Sequence, residues 1–411
     1  MSEMIQVPDG WEVKKVSSLC KILDNQRIPL NDEERQNMKG HIPYYGANAI
    51  VDYIDSYLFD EDLILLAEDG GNFDEYENRP ISFKISGKSW VNNHAHILKP
   101  NKNVEFDYVF YSLEHKNITS YIRGGTRSKL NQSDLRDVDV LIPKEKKEQE
   151  KIAKILSTLD KNIESTNCLI EKEKNIKKAL MQELLTNGID KDGHIRTRAI
   201  HAYKESELGL IPDEWEIVSL GKCIKNNGDY GINAAAVNLS YSLPTYLRIT
   251  DIDGDGHFIE ADKKSVDSPE SGNFILNDGD IVFARTGNTT GKTYLYNSKD
   301  GKLVFAGFLI RFTPNQKKLI PHYLKATTET FSYWSWVETN SARTGQPGIN
   351  ANEYKSFKFK LPSIEEQKQI AKILTTQDKK IETEETNLAK LKELKKGLMN
   401  DLLSGKVRVN V

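Results

Sequence analysis

Cysteine is scarce in this sequence. Its 411 residues include three cysteines, Cys20, Cys168 and Cys223, which lie far apart and form no Cys-x-x-Cys pair. Closely spaced cysteines are the signature of a disulfide framework or of a structural zinc site. Neither is expected here, and a reduced environment is the setting that fits best.

Long hydrophobic runs are also missing. The longest, such as Leu63–Ala67, are far shorter than the roughly 20 apolar residues that cross a bilayer. The first residues have neither the basic nor the apolar segment of a secretory signal. These absences predict a cytoplasmic protein that makes no contact with a membrane.

Neither sign of charge is in large excess. The chain has 57 lysines and arginines against 60 aspartates and glutamates, for a formal net charge of −3. This balance argues against a protein coated in positive charge. It leaves nucleic-acid binding open, because binding depends on charge clustered on the contacting face. The length of the chain predicts two or more domains.

Common catalytic and cofactor motifs are absent as well. The sequence has no Gly-rich dinucleotide fingerprint, His-Glu-x-x-His or Gly-x-Ser-x-Gly. The segment from Gly287 to Thr293 resembles a P-loop, but three residues separate its glycines where four are needed, so ATP binding is not expected. The segment from Asp251 to Gly256 resembles an EF-hand opening, but its flanks are typical of strands rather than helices. His94 and His96 have no third metal ligand nearby, so we expect no metal and no cofactor on this chain.

What the chain does contain is a long internal repeat. Residues of the same type recur 218 positions apart in two segments that begin at Gln149 and Gln367. Apolar residues follow steps of three and four over about 40 residues, which predicts two helices, each roughly 60 Å long, that pair with each other in antiparallel coiled-coil fashion. The matched pairs include Ile152 and Ile370, Leu156 and Leu374, Asp160 and Asp378, Lys177 and Lys395, Met181 and Met399, and Leu184 and Leu402.

The repeat extends beyond the helices. A Pro-Asp-x-Trp-Glu element recurs around Trp11 and Trp215, and a proline precedes each helical segment. Between these landmarks the two halves share little sequence, although both contain short β-branched and aromatic runs separated by Gly, Asn and Asp, which is typical of sheet. We predict a domain at 1–143, a first spacer helix at 144–188, a linker at 189–210, a second domain at 211–362, a second spacer helix at 363–405 and a tail at 406–411.

These landmarks resemble those of a known family. The segments PDEWEIVSLGKC, LPSIEEQKQIAKIL and KKGLMNDLLSGKVRV, together with PYYGANAIVDYID, RSKLNQSDL and GQPGINANEY, are similar to the specificity subunit of type I restriction–modification systems. The resemblance covers essentially the whole chain. It implies a mixed α/β (α+β) fold: two target-recognition domains with mixed sheets, joined by two long antiparallel coiled-coil helices in a pseudo-twofold repeat.

The resemblance also implies a function. Each domain would read one half of a bipartite, asymmetric site in double-stranded DNA, and the helices would set the distance between the half-sites. The chain would dock two copies of a DNA adenine methyltransferase subunit, and restriction and translocase subunits would join the full assembly. S-adenosylmethionine, ATP and Mg would then be bound by those partner subunits. This chain would itself carry no catalytic residue.

Polar loops in both domains are the candidates for DNA contact. Loops with backbone amides, hydroxyls and arginines suit phosphates and guanine edges. The equivalent of the Arg285 loop in the first domain, around Glu68 and Asp69, is acidic and would repel phosphate. For each candidate an ordinary solvated loop position is the alternative; for Tyr45 it is packing against the sheet. The candidates are Tyr45, Asn72, Arg123, Thr126, Arg127, Lys129 and Asn131 in the first domain, and Arg285, Thr286, Asn288, Thr289, Lys292, Arg343, Gln346 and Asn350 in the second.

Two other functions remain open at this point. One is a self-contained DNA adenine methyltransferase, although the Asn/Asp-Pro-Pro-Tyr/Phe element of those enzymes does not occur in the sequence. The other is a coiled-coil scaffold protein that does not bind DNA sequence-specifically. Methyl transfer by the isolated chain would support the first, and indifference to DNA sequence would support the second.

Overall fold

The computed structural model describes residues 7–124, 128–342 and 346–410. The chain divides into two compact units, and each contains part of both long helical repeats. The first unit comprises Met1–Cys168 and Thr386–Val411, and the second comprises Leu169–Glu385. Each unit is therefore a sheet-rich module with parts of both long helices.

The first unit contains the strands and short helices of the first module. Its strands are β1 (Trp11–Lys15), β2 (Cys20–Ile22), β3 (Lys39–Tyr45), β4 (Ile50–Ile54), β5 (Phe59–Asp60), β6 (Leu63–Ala67), β7 (Ser82–Ile85), β8 (Lys88–Val91), β9 (Ala95–Pro100), β10 (Ile122–Arg123), β11 (Lys129–Leu130) and β12 (Asp139–Pro143). Its helices are α1 (Val16–Leu19), α2 (Asp32–Asn37), α3 (Phe106–Glu114), α4 (Gln132–Arg136) and the start of α5 (Lys146–Leu184).

The second unit contains the strands and short helices of the second module. Its strands are β13 (Tyr203–Lys204), β14 (Ile211–Pro212), β15 (Glu216–Ser219), β16 (Asp229–Tyr230), β17 (Ala236–Asn238), β18 (Thr245–Leu247), β19 (Lys264–Val266), β20 (Ile281–Ala284), β21 (Thr293–Leu295), β22 (Leu303–Phe305), β23 (Leu309–Phe312) and β24 (Lys358–Leu361). Its helices are α6 (Pro321–Thr327), α7 (Phe331–Ser341), α8 (Ala351–Ser356) and the start of α9 (Ile364–Leu403).

Sheet topology shows the duplication more clearly than sequence does. The first module has one sheet in the order β2-β9-β6-β7 and another in the order β4-β3-β8-β5. The second has β16-β23-β20-β21 and β17-β19-β18-β22. In each module the second sheet contains one parallel pair, β3 with β8 and β18 with β22. The two modules are thus built on one plan, and the mixed α/β fold predicted from sequence is confirmed.

An antiparallel ribbon leads from each module into its long helix. β1 pairs with β12, and β15 pairs with β24, so the strand that opens a module lies beside the strand that enters the helix. Gln149 and its repeat Gln367 attach the first turns of α5 and α9 to the modules. Each side-chain amide donates to the carbonyl of the preceding proline and accepts a backbone N–H from its own module.

The two long helices pair in antiparallel fashion inside each unit. In the first unit, Ile152 and Leu156 near the start of α5 share a core with Met399 and Leu402 near the end of α9. The second unit contains the repeat-related contact, in which the first turns of α9 meet the last turns of α5. Its core includes Ile370, Leu374, Leu184 and Leu185. The predicted pairing of the two repeats is confirmed.

In each unit, an arginine that follows a long helix and a tryptophan donate to one glutamate. After α9, Arg408 donates to Glu148, at 2.6 Å from Nε to Oε1, and Trp11 donates to the same oxygen. After α5, Arg196 and Trp215 both donate to Oε2 of Glu366, at 3.1 Å in each case. Each unit is therefore closed by an element that belongs to the other half of the repeat.

Candidate nucleic-acid interface

Two candidate loops of the first module, predicted separately, lie side by side. Asp69 forms a β-bridge with Lys129, and the amide of Leu130 donates to the carbonyl of Glu68 at 2.8 Å. The loop after β6 and the segment around β11 therefore form one continuous surface. Thr126 and Arg127, in the same segment, lie outside the described residues.

The acidic residues of this surface, Glu68 and Asp69, both have side-chain partners. Glu68 Oε2 lies 2.6 Å from Nη1 of Arg27, and Glu68 Oε1 lies 3.1 Å from Nζ of Lys129. Burial acts to raise the pKa of Glu68, but the hydrogen bonds from Arg27 and Lys129 outweigh it and hold that pKa below its usual range. Asp69 contacts His94, with 2.6 Å between Oδ1 and Nδ1. The repulsion of phosphate expected from Glu68 is therefore offset by Arg27 and Lys129.

The buried side chain of His96 contacts the strand β11 (Lys129–Leu130). His96 is fully buried, with Nε2 2.9 Å from the carbonyl of Leu130 and Nδ1 2.7 Å from Oδ2 of Asp24. Burial acts to raise the pKa of Asp24, but contacts with His96, the amide of Ile97 and Gln132 hold it below its usual value. Because the carbonyl of Leu130 can only accept, Nε2 of His96 donates to it, and Nδ1 of the same ring faces the carboxylate of Asp24.

This cluster also contains a possible metal-ligand set. Single ligand atoms of Asp24, Glu68 and His96 lie within 4.8 Å of one another. Arg27 and Lys129 already contact the carboxylate of Glu68, and Nδ1 of His96 lies 2.7 Å from Oδ2 of Asp24. Cations of the chain thus take the place that a metal would fill, and we assign the cluster as an ionic network that positions the loop.

Arg123 and Asn131 converge on one carboxylate. Arg123 is exposed, and its Nη2 lies 2.8 Å from Oδ1 of Asp134. Asn131 precedes α4 and donates from Nδ2 to Oδ2 of Asp134 at 3.2 Å. The hydrogen bond from Arg123 lowers the pKa of Asp134. Both candidates therefore carry a partner within their own loop.

The remaining two candidates of the first module are more enclosed. Asn72 donates from Nδ2 to the carbonyl of Pro80 at 3.0 Å. The ring of Tyr45 is half-buried, with its centroid 5.8 Å from that of Phe83, and burial raises the pKa of its hydroxyl. That Asn72 and Tyr45 contact DNA stays a prediction.

In the second module, too, two separate stretches of sequence come together. Thr286 forms a β-bridge with Gly348, the amide of Gly287 donates to the carbonyl of Pro347, and the amide of Ile349 donates to the carbonyl of Arg285. Below them, the buried Tyr354 donates from its hydroxyl to the carbonyl of Ala284 at 2.7 Å. The loop after β20 and the segment before α8 thus form one surface on a buried aromatic base.

The candidates in the loop after β20 differ in exposure. Asn288 is exposed on the 3₁₀ turn Gly287–Thr289. Thr289 donates to the carbonyl of Thr286 at 3.3 Å, which places both threonines in the turn itself. Lys292 is half-buried, with Nζ 3.4 Å from the carbonyl of Ile252.

The segment from Gly287 to Thr293, which resembles a P-loop in sequence, does not form a phosphate-binding loop. The amide of Gly291 donates to the carbonyl of Ala284, and the amide of Lys292 donates to the carbonyl of Thr289. These donors are used inside the loop. The Asp-rich segment at 251–256 is a turn closed by a bridge between Ile252 and Phe258, and Asp253 accepts two amides of the same turn.

Gln346 and Asn350 flank the bridge to Gly348. Gln346 is exposed and lies beside Gly287, where an added Cβ would come within 3.0 Å of its Nε2. The side-chain oxygen of Asn350 caps α8 and accepts the amides of Asn352 and Glu353. Arg343 lies outside the described residues.

Arg285 has a setting that the sequence did not reveal. Its Nε donates to the carbonyl of Gly307 at 3.1 Å, and its guanidinium lies over the ring of Tyr230, 4.9 Å from the centroid. Tyr230 is 55 positions away in sequence and Gly307 is 22 positions away, so no local pattern relates either of them to Arg285.

The geometry defines a protein with two unlike polar surfaces on two like scaffolds, and comparisons with known proteins give its class. The family model of the type I restriction modification DNA specificity domain matches residues 8–174 and 212–393. The chain belongs to this family, as its sequence landmarks predicted. Within the described residues, no helix has the length and apolar character needed to cross a membrane.

Individual relatives agree with the family model. The chain is 27% identical to the putative type I restriction enzyme MjaX specificity subunit of Methanocaldococcus jannaschii, over 99% of this chain and 96% of that one. It is 26% identical to the MjaVIII specificity subunit of the same organism, over 98% and 95%. Its fold matches that of a type I restriction–modification S subunit from M. genitalium with a TM-score of 0.65 at 14% identity, over 100% and 99% of the two chains.

Proposed function

We propose that this chain reads a bipartite, asymmetric site in double-stranded DNA, with one half-site for each module. The observation that carries the proposal is the contrast between two modules of one topology. In the first module, Arg123 and Lys129 are paired with carboxylates of the same surface. In the second, Arg285 is held by an aromatic ring and a carbonyl oxygen. Unlike chemistry on like scaffolds favours unlike half-sites.

The long helices are the basis for a fixed spacing in this proposal. α5 and α9 contain 39 and 40 residues, and each runs unbroken from one compact unit into the other. A continuous helix is stiff on this length scale, as in DNA-binding dimers whose geometry sets the separation of half-sites. We therefore propose that the helices define the number of base pairs between the half-sites.

Chemistry would be supplied by other subunits. We propose that the chain docks two copies of a DNA adenine methyltransferase, which bind S-adenosylmethionine, and that restriction and translocase subunits with ATP and Mg complete the assembly. The internal repeat supports two copies of one partner, because a duplicated scaffold presents equivalent surfaces twice. In this proposal the chain has no catalytic activity of its own.

Mapping of N6-methyladenine tests the recognition proposal. Genomic DNA from cells that express the chain with a methyltransferase subunit of its own system is compared with DNA from cells that lack only the chain. A new methylated motif made of two unlike blocks with a constant gap is expected. A contiguous motif, or the same methylation without the chain, contradicts the proposal.

Methyl transfer by the purified chain tests the division of labour. With S-adenosylmethionine and the mapped duplex, we expect no transfer by the chain alone and transfer when the methyltransferase subunit is added. Transfer by the chain alone would restore the alternative of a self-contained methyltransferase. Equal affinity of the assembled complex for all DNA sequences would restore the alternative of a scaffold protein.

A further inference from the structure

Arg285 is fixed in place before any ligand arrives. The residue follows β20, where its amide donates to the carbonyl of Phe308 and its carbonyl accepts from Ile349. Its guanidinium is then held twice, by the hydrogen bond from Nε to Gly307 and by the face of Tyr230. An arginine side chain normally loses much conformational freedom when it binds a ligand, and one that is already fixed loses less.

Tyr230 is itself anchored. Its hydroxyl accepts the amide of Ala351 at 3.1 Å, which ties the ring to the first turn of α8. About two-fifths of Tyr230 is exposed, so the stack lies at the surface rather than in the core. The ring therefore acts as a platform that sets the plane of the guanidinium.

Arg285 also differs from the other described cations in the candidate loops. Arg123 is paired with Asp134, and Lys129 is paired with Glu68. Lys292 points to a backbone carbonyl. Among residues 7–124, 128–342 and 346–410, no carboxylate lies within ion-pairing distance of Arg285. Because Nε is used by Gly307, the two terminal nitrogens remain as a planar pair of donors.

We propose that Arg285 reads a guanine in the half-site of the second module, donating from its terminal nitrogens to O6 and N7 in the major groove, with Tyr230 as the positioning residue. A planar pair of donors matches these two acceptors, and such a contact is the commonest specific one between arginine and DNA. A phosphate can be approached by a guanidinium in many orientations, whereas two acceptors on one base edge require the guanidinium to lie near the plane of that base. The inference rests on the proposed function, because it assigns a base to one of its two surfaces.

The test measures affinity of the complex between the full chain and its methyltransferase subunit. The probes are the mapped duplex and a set of duplexes in which each guanine in turn is replaced by 7-deazaguanine, which lacks the N7 acceptor. For the unaltered chain, one guanine in one half-site should show a loss of about tenfold on replacement. For Arg285→Gln, affinity for the mapped duplex should fall by a similar factor, and replacement of that guanine should have no further effect.

Two further variants separate the roles. Tyr230→Leu removes the platform but keeps Arg285. In this variant, replacing the same guanine by 7-deazaguanine should reduce affinity by less than it does in the unaltered chain. Arg198→Gln removes an exposed positive charge in the same unit, outside the candidate loops, and serves as the control. It should weaken binding slightly and equally for all duplexes.

The outcomes are distinct. If Arg285→Gln weakens binding equally for all sequences, Arg285 contacts phosphate and the inference is wrong. The inference is also wrong if neither half-site contains a guanine. It is wrong as well if replacing guanines by 7-deazaguanine affects Arg285→Gln as it affects the unaltered chain. Should Arg285→Gln fail to fold, the same comparison is made with Tyr230→Leu. If the unaltered chain shows no preference for the mapped duplex, the proposed function itself fails.

Discussion

The ammonium group of Lys395 lies 2.7 Å from the carboxylate of Asp160, inside the first unit. In the second unit, Lys177 and Asp378 form the equivalent pair at 2.8 Å. Each lysine thus contacts the aspartate of the other repeat. Because the two long helices are antiparallel, the same repeated lysine and aspartate form an equivalent ion pair in each unit.

Loss of Lys395 should destabilise the first unit. The lysine also contacts Glu114 at 3.0 Å, and both side chains are largely buried, so Lys395→Met leaves two carboxylates without a cation. We expect a loss of about 2–3 kcal/mol in the free energy of unfolding, since breaking a buried pair leaves a charge uncompensated. Urea unfolding combined with hydrogen exchange in the first unit measures it. Lys396→Met, at an exposed neighbour, should change stability by less than about 0.5 kcal/mol. Equal effects of the two variants would contradict this role.

The two glutamates that follow the modules should differ in importance. Glu366 and Arg196 are each about 7% exposed, whereas Arg408, the partner of Glu148, is 45% exposed. Water screens the second pair more strongly. Glu366→Gln should therefore cost about 3 kcal/mol, and Glu148→Gln should cost less. Hydrogen exchange in each unit reports the two values separately, and a larger cost for Glu148→Gln would be inconsistent with this ranking.

Acid should weaken the first unit through Asp24. The pKa of Asp24 is lower in the folded chain than its usual 3.8. A carboxyl of this kind stabilises the fold above its unfolded pKa, and that contribution is lost as the pH falls through the folded value. Glu68, whose pKa is also lowered, acts in the same direction.

The unfolding free energy of the first unit should therefore fall as the pH drops below about 4. Asp24→Asn should be less stable at neutral pH and should show a shallower decline in acid. Chemical denaturation at a series of pH values measures both. Asp74→Asn, at an exposed position, is the control and should follow the unaltered protein. An acid limb that is as steep in Asp24→Asn as in the unaltered protein would rule out this contribution.

Lengthening both helices should change the spacing of the DNA site. Seven helix-forming residues inserted after Cys168, with seven more after Glu385, fall at the boundaries between the compact units, so the contacts within each unit are kept. Two helical turns add about 10 Å, which corresponds to about three base pairs. Methylation mapping should show the same two blocks with a longer gap. An unchanged gap would show that the helices do not set the spacing.

The helices were predictable because the signal is local and repeated. Ile152, Leu156 and their repeats follow a helical period, and charged residues such as Asp160 and Lys177 recur at the same offset. Strands such as Leu63–Ala67 and Ile281–Ala284 were also visible as short apolar runs. Several of the family landmarks, such as the segment around Gln367 at the start of α9, lie in these regular elements.

The chemistry of the candidate surfaces was not predictable in the same way. Whether Lys129 is available to DNA depends on Glu68, 61 positions away, and the plane of Arg285 depends on Tyr230. Such contacts are set by the folding of sheets whose strands are distant in sequence. The loop around Glu68 looked acidic because Arg27, its counter-charge, comes from another part of the chain. The sequence of a single loop therefore identifies candidate DNA-binding residues but not the side chains that contact them.

The most direct test of the central claim is the affinity of the reconstituted complex for the mapped duplex with one half-site scrambled at a time. Measurements at several salt concentrations separate specific binding from general attraction to phosphate. Scrambling either half-site should reduce affinity at least about a hundredfold, because several base contacts are lost together. If scrambling one half-site leaves affinity unchanged at every salt concentration, its module does not read DNA sequence and the account is contradicted.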